Sequence, residues 1–269
     1  MPRESEFNYT RSNPERSQFE PLRSMVSQYA KGIDAGGEVA ARGSEVAIIW
    51  GAGDLSREYE RTMFARFSHD WGATFGDEIM ISNPDLGACA CCSMAADYMD
   101  AQNILVAYRS AIDGIGRHMQ LLTVNGVDGE ISGASYGDVH ELQQWELSAC
   151  PLSTNDIGTD PAAEKWLVFE TKGRIMQFNL SVAGEPAAVG EPFSETRQKN
   201  PAIAFNQNNN RLIVWGEAIS HARGGRLNLK IFDAAGNDTG YELGEEISID
   251  NYSFPAAAGL PNGDFLVLY

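Results

Sequence analysis

The chain has 269 residues, 43% hydrophobic and 21% charged, the make-up of one large globular domain or two small ones rather than of a disordered chain. Lys and Arg number 20 against 37 Asp and Glu, a formal net charge of −17; such a surface repels phosphate backbones and anionic headgroups, which argues against nucleic acid and membrane surfaces as partners. No apolar run reaches the roughly 18 residues of a spanning helix, and the opening Met1-Pro2-Arg3-Glu4-Ser5-Glu6 lacks the apolar core of a secretory leader.

Taken in chain order, residues 1–35 carry no repeat and are expected to supply closing strands for whatever follows. From residue 36 to 269 one pattern recurs: a short apolar run ending in an aromatic residue. The copies are Val46-Ala47-Ile48-Ile49-Trp50, Ile104-Leu105-Val106-Ala107-Tyr108, Trp166-Leu167-Val168-Phe169, Leu212-Ile213-Val214-Trp215 and Phe265-Leu266-Val267-Leu268-Tyr269. Runs this short and rich in β-branched residues read as buried strands. A strand of smaller residues precedes several of them across a turn: Ser93 to Ala96, Pro201 to Phe205 and Pro255 to Ala258. Third strands are expected over Arg61 to Phe67, Arg117 to Val124 and Arg226 to Phe232, and fourth strands over Glu78 to Ile81 and Tyr241 to Ile247. Four strands per copy, at intervals of about 46 to 61 residues, is the spacing of propeller blades. The expected fold is therefore an all-β propeller of four-stranded antiparallel blades. Five blades is the favoured count and six the alternative, with the ring closed by residues 1–35. An irregular β-sandwich is the competing arrangement.

Between the third and fourth strands of the first copy stands Ser68-His69-Asp70-Trp71-Gly72-Ala73-Thr74-Phe75. It matches the Asp-box, S-x-D-x-G-x-T-[FW], in which Asp accepts backbone N–H bonds, Gly admits positive φ and the aromatic plugs the turn into the core. Its role is structural, carried by Ser68, Asp70, Gly72, Thr74 and Phe75. Together with Cys89-Ala90-Cys91-Cys92-Ser93-Met94, Tyr108-Arg109-Ser110-Ala111, Trp145 to Pro151, Phe169-Glu170-Thr171, Asn200-Pro201-Ala202 and Trp215-Gly216-Glu217, it makes residues 36–269 resemble the sialidase-like, Asp-box (BNR-repeat) propellers, in particular a bacterial group labelled exo-alpha-sialidase. The resemblance implies a site at one mouth of the channel and an extracellular or periplasmic setting. True sialidases hold a carboxylate with three arginines and use a Tyr nucleophile assisted by Glu; their early Arg-Ile-Pro signature is absent here and no arginine triad can be assigned.

Residues just after the second strand of each copy fall at one end of the ring: Gly51, Arg109, Glu170 and, one place on, Glu217. Glu170 and Glu217 are the candidate acid and base, which need environments that separate their pKa values. Arg109 and Arg117 are candidate cationic contacts to substrate, suited to it by the planar fork of the guanidinium, and Trp145 is the candidate aromatic contact. Inter-blade ion pairing of Arg109 with the glutamates is the structural alternative. Trp71, Trp145 and Tyr136 are further surface contacts if exposed. His221 sits in a Gly/Arg-rich hairpin with no phosphate-loop spacing.

Cys91, Cys92 and Cys150 lie where adjacent blades begin, so a disulfide from Cys150 to Cys91 or Cys92 is geometrically reasonable. Buried thiols, or a soft-metal site shared with His118 or His140, are the alternatives. Three functions follow. The first is a monomeric module, needing no cofactor, that recognises a glycan or other surface polymer. The second is an exo-glycosidase of the sialidase-like kind, and the third a cysteine-centred metal or redox protein.

Overall fold

The computed structural model describes residues 6–34, 37–125, 137–190, 196–219 and 223–269; Tyr136 and His221 lie outside them. The chain is all-β and falls into two compact units, Met1–Pro151 and Leu152–Tyr269.

The first unit opens with β1 (Asn8–Tyr9) and β2 (Arg23–Ser24), which pair with each other in a two-stranded sheet. Two antiparallel four-stranded sheets follow. One holds β3 (Gly37–Arg42), β4 (Glu45–Ala52), β5 (Thr62–Ser68) and β6 (Ile79–Met80); the other holds β7 (Ala95–Tyr98), β8 (Asn103–Arg109), β9 (Met119–Asn125) and β10 (Asp138–Gln143). Alternation explains why β4 is apolar from Val46 to Trp50. Successive side chains point to opposite faces, and here both faces are covered. Ala47 and Ile49 pack with Val106 and Leu122 of the second sheet, while Ile48 and Trp50 pack under Met25, Ile33, Phe7 and Tyr29 of the N-terminal segment.

That segment is tied down by polar contacts as well. Glu78 accepts from the amides of Ser27 (2.6 Å) and Tyr29 (2.9 Å). Arg23 donates to the carbonyls of Gly72 and Ala73, and Arg66 to that of Met25. Arg23 thereby grips the turn at Ser68 to Phe75, whose own geometry is set by Asp70. Its carboxylate accepts from the Thr74 amide (2.8 Å), the Thr74 hydroxyl (2.7 Å) and the Ser68 hydroxyl (2.8 Å). These bonds, the Thr74 amide first, hold the carboxyl well below its ordinary range. Gly72 has φ 75° and a Cβ there would run into the Tyr9 hydroxyl. Phe75 packs edge-on to Tyr9 at 5.2 Å.

The second unit contains β11 (Asn155–Thr159), β12 (Lys165–Thr171), β13 (Arg174–Asn179) and β14 (Ala187–Ala188) in one sheet. A second sheet holds β15 (Gln198–Phe205), β16 (Arg211–Glu217), β17 (Gly225–Phe232) and β18 (Ser248–Ile249), and β19 (Ala256–Gly259) pairs with β20 (Phe265–Leu268). The same alternation recurs: Ile213 and Trp215 of β16 pack with Val168 and Ile203, while Val214 faces Leu227, Ile249 and the partly buried Ala257 and Val267. Hairpins between first and second strands are closed by an Asx side chain bonding backbone two to four residues on. Asp160 accepts from Ala162 and Glu164, Asn206 from Asn208 and Asn210, and Asn262 from Asp264.

One expected strand is absent. Residues Tyr241 to Ile247 are irregular, and the fourth strand is the two-residue β18 beyond them. Gly240 takes φ 70°, and Glu242, Glu245 and Glu246 crowd like charges into a stretch interrupted by Gly244. These features oppose a ladder that apolar residues at 241, 243 and 247 would otherwise favour. As a result β18 pairs only with Gly225 and Arg226.

Candidate functional site

In the first unit, each third strand is preceded by an arginine two residues ahead of a buried methionine: Arg61-Thr62-Met63 and Arg117-His118-Met119. Both arginines fold inward. Arg61 donates to the carbonyls of Gly32 (2.6 Å), Gly53 (3.0 Å) and Gly51 (3.3 Å), and its burial lowers its pKa. Arg117 pairs with Glu58 at 2.5 Å and also donates to the Gly114 carbonyl.

Arg109, Arg117 and Trp145 do come together, but as a buried cluster. Arg109 Nη1 donates to the Arg117 carbonyl at 2.8 Å and its guanidinium carbon lies 5.2 Å from the Trp145 ring centroid. The Arg117 amide donates to the Trp145 carbonyl (2.7 Å), and the Trp145 amide to His118 Nδ1 (2.9 Å). Trp145 is 6% exposed and Arg109 2%. Trp145, a surface contact only if exposed, is therefore not one. With its backbone bonded on both sides to the start of β9, its ring is held over Arg109. Trp71, at 66%, is exposed.

The cysteines gather beside this cluster. Cys91 and Cys150 form a disulfide with Cα atoms 6.6 Å apart. Cys89 Sγ lies 3.6 Å from Cys150 Sγ and 3.9 Å from Cys91 Sγ. Cys89 and Cys92 are both buried and carry thiols. The neighbouring Cys92, together with burial, pushes the Cys89 thiol far above its ordinary value. The histidines considered as metal partners are elsewhere engaged or apart: His118 accepts from Trp145, and His140 lies on β10. Among the described residues, the groups close enough to share an ion are Cys89, Cys92 and Cys150, and Glu58, Cys89 and Cys91.

In the second unit, Glu170 is the penultimate residue of β12 and Glu217 the last of β16, and both are fully buried. Gln198 connects them. It is the register partner of Glu217, and its Oε1 accepts from the amide of Ile175, the register partner of Glu170 (2.9 Å). Glu217 Oε1 accepts from the Thr196 hydroxyl (3.1 Å) and Oε2 from the Asn228 side-chain Nδ2 (2.8 Å). Beside Glu217 a groove of about 920 Å³ runs along the open outer edge of β17, large enough for an organic ligand of several rings. Its lining includes Asn228, Arg226, Lys230, Asp238, Tyr241 and Glu242. The missing ladder over 241–247 is what leaves this groove. Lys230 pairs with Asp238 and holds that carboxyl below its ordinary range, and Arg226 pairs with Glu246 at 3.2 Å. Tyr241 is 53% exposed.

Arg61, Glu58, Gln198 and the groove stand outside the site residues expected from the sequence. The arginines had a signal, the repeated Arg-x-Met of 61–63, 117–119 and 174–176; Gln198 and Glu58 had none.

No family model matches the chain, and no curated protein matches it. Solved structures do. A lectin, SapL1, in complex with alpha methyl fucoside superposes with a TM-score of 0.53 at 11% identity, over 89% of this chain and 75% of that one. An alpha-L-arabinanase of Penicillium chrysogenum complexed with arabinobiose gives 0.56 at 12% identity, over 90% and 76%. Both are β-propellers, and at such identities the likeness is one of fold: four-stranded antiparallel sheets of the propeller kind, repeated along the chain.

Proposed function

We propose that the chain is a glycan-recognising propeller of five blades, of the Asp-box kind, and that the groove along β17 contacts a neutral saccharide. The observation that carries this reading is the composition of the groove. Sugar recognition needs an aromatic face for the C–H side of the ring and fixed polar groups for the hydroxyls. Tyr241 offers the first, and Asn228, Arg226 and Glu242 the second. Among the lining residues Glu217, Asp238, Glu242, Glu245 and Glu246 outnumber Arg226 and Lys230, so a carboxylated sugar such as a sialoside is repelled. Support from the fold comes from the fucoside-bound lectin. The buried Arg109, Arg117 and Trp145 are assigned to holding the first unit together rather than to touching the ligand.

A hydrolytic reading draws on the arabinanase likeness and on Glu170 and Glu217 as the two carboxylates. Glycoside hydrolysis needs carboxyl groups about 5 to 9.5 Å apart flanking an open bond-cleavage site. Full burial of both glutamates and the donors already occupying Glu217 favour recognition without turnover. A glycan array carrying neutral and sialylated panels tests the proposal. Neutral ligands are expected to bind, with at least a tenfold loss in Tyr241→Ala; preference for sialylated ligands would overturn it.

A further inference from the structure

We infer that Cys89, Cys91, Cys92 and Cys150 form a zinc-binding tetrathiolate in the reduced chain, with the Cys91–Cys150 disulfide as the closed, metal-free form of the same site. This site is independent of the glycan groove.

Geometry comes first. A zinc–sulfur bond of about 2.3 Å places the sulfurs of a tetrahedral site about 3.8 Å apart. Cys89 Sγ already stands 3.6 Å from Cys150 Sγ and 3.9 Å from Cys91 Sγ. The sulfurs of Cys89, Cys92 and Cys150 all lie within 4.8 Å of one another. Four sulfurs converge from two distant stretches of chain, and a tetrahedral all-sulfur set selects zinc among the common divalent ions.

The frame around them is held by hydrogen bonds. The Cys89 amide donates to the Arg109 carbonyl at 2.8 Å, anchoring the cysteine loop to the end of β8. Glu58 accepts from the Ala90 amide at 2.9 Å and from Arg117 at 2.5 Å, so a carboxylate and a guanidinium are fixed immediately outside the sulfurs. A cavity of about 10 Å³ adjoins Cys89 and Cys92 and is also lined by Arg61 and Arg109. That is one water's worth of space, more than a bare ion needs. Zinc with four thiolates carries a charge of −2, and the arginines at the cavity wall and Arg117 supply positive charge next to it. Outer partners of this kind orient metal ligands and tune affinity.

The two forms exclude each other because Cys91 and Cys150 cannot be ligands while bonded together. A dithiol or phosphine reductant supplies two electrons to the S–S bond, and each released sulfur takes a proton. Zinc then displaces the protons of the four thiols to solvent. Oxidation reverses this: a disulfide oxidant such as oxidised glutathione takes one electron from each of the Cys91 and Cys150 thiolates and leaves as two thiols, the S–S bond reforms, the metal departs, and Cys89 and Cys92 take up protons from solvent.

The test uses the full chain reduced with a phosphine and kept anaerobic, with Co²⁺ as the spectroscopic probe for zinc. One equivalent is expected to give sulfur-to-cobalt charge transfer and the strong visible bands of tetrahedral cobalt, both bleached by Zn²⁺. The disulfide form is expected to bind at least tenfold more weakly, and Cys89→Ser or Cys92→Ser to lose the bands. A second measurement needs no variant: Zn²⁺ should protect all four thiols of the reduced chain from alkylation, read by intact mass. A reduced chain that takes up no stoichiometric Co²⁺, or whose thiols alkylate equally with and without Zn²⁺, overturns the inference; so does a signal that survives in Cys89→Ser.

Discussion

Removing the Trp50 indole probes how the N-terminal segment is built into the first unit. The ring is fully buried, lies 6.0 Å from the centroids of Phe7 and Phe64, and donates from Nε1 to the Tyr29 carbonyl at 3.1 Å. Trp50→Ala deletes this contact surface and leaves a cavity, at a cost of about 3–5 kcal/mol. Within that figure, a Tyr29 carbonyl left without its donor accounts for about 1–3 kcal/mol, and this is the loss expected for Trp50→Phe. For a unit of this size each kcal/mol lowers Tm by roughly 2–4 °C. Because the acceptor belongs to the N-terminal segment, the two changes are coupled. In a chain lacking residues 1–30, which is itself expected to be destabilised, the Trp50→Phe effect should fall below about 0.5 kcal/mol, a shortfall read by a double-mutant cycle. Urea denaturation followed by far-UV circular dichroism measures all four species. A neutral Trp50→Phe, or effects that simply add, would refute the docking described here.

Three further outcomes follow from particular contacts. Glu78 is half-buried, and that partial burial taken alone raises its pKa, but its hydrogen bonds to Ser27, Gln28 and Tyr29 outweigh burial and lower the pKa from 4.5. Its contribution is therefore complete above the ordinary value and is lost as pH falls from about 4.5 through the lower folded value; Glu78→Gln should flatten this acid limb in melting curves taken from pH 3 to 7. Gln198→Ala leaves the buried Ile175 amide without its acceptor and should cost about 1–3 kcal/mol in denaturant titrations, whereas a neutral result would show that water replaces the side chain. A Cβ on Gly259 would meet the Phe205 carbonyl, so Gly259→Ala should destabilise by about 1–3 kcal/mol, with hydrogen exchange accelerating first in β19 and β20.

How far the sequence can be read depends on what each residue answers to. The runs at Val46, Ile104, Trp166 and Leu212 became β4, β8, β12 and β16, because a strand buried on both faces must be apolar along its length; the run at Phe265 became β20, but with Leu266 and Leu268 exposed rather than buried. The turn at Ser68 to Phe75 was legible because its bonds are local and each position has one chemical task. Over Tyr241 to Ile247 alternating apolar residues suggest a ladder, but clustered acids and glycines outweigh them and no strand forms. Whether Trp145 is exposed is not legible locally, because its ring is covered by Arg109, 36 places away in sequence. The gathering of Cys89 with Cys150 likewise depends on the path of the backbone between them, and the groove along β17 exists only because a strand fails to form.

Recognition without turnover is tested most directly by saturation-transfer NMR on the full chain mixed with a neutral glycan chosen from the array. Transfer to the sugar ring protons, lost in Tyr241→Ala, with anomeric signals unchanged over a day, is the predicted result. New reducing-end signals that disappear in Glu217→Gln would contradict it and make the chain a glycosidase.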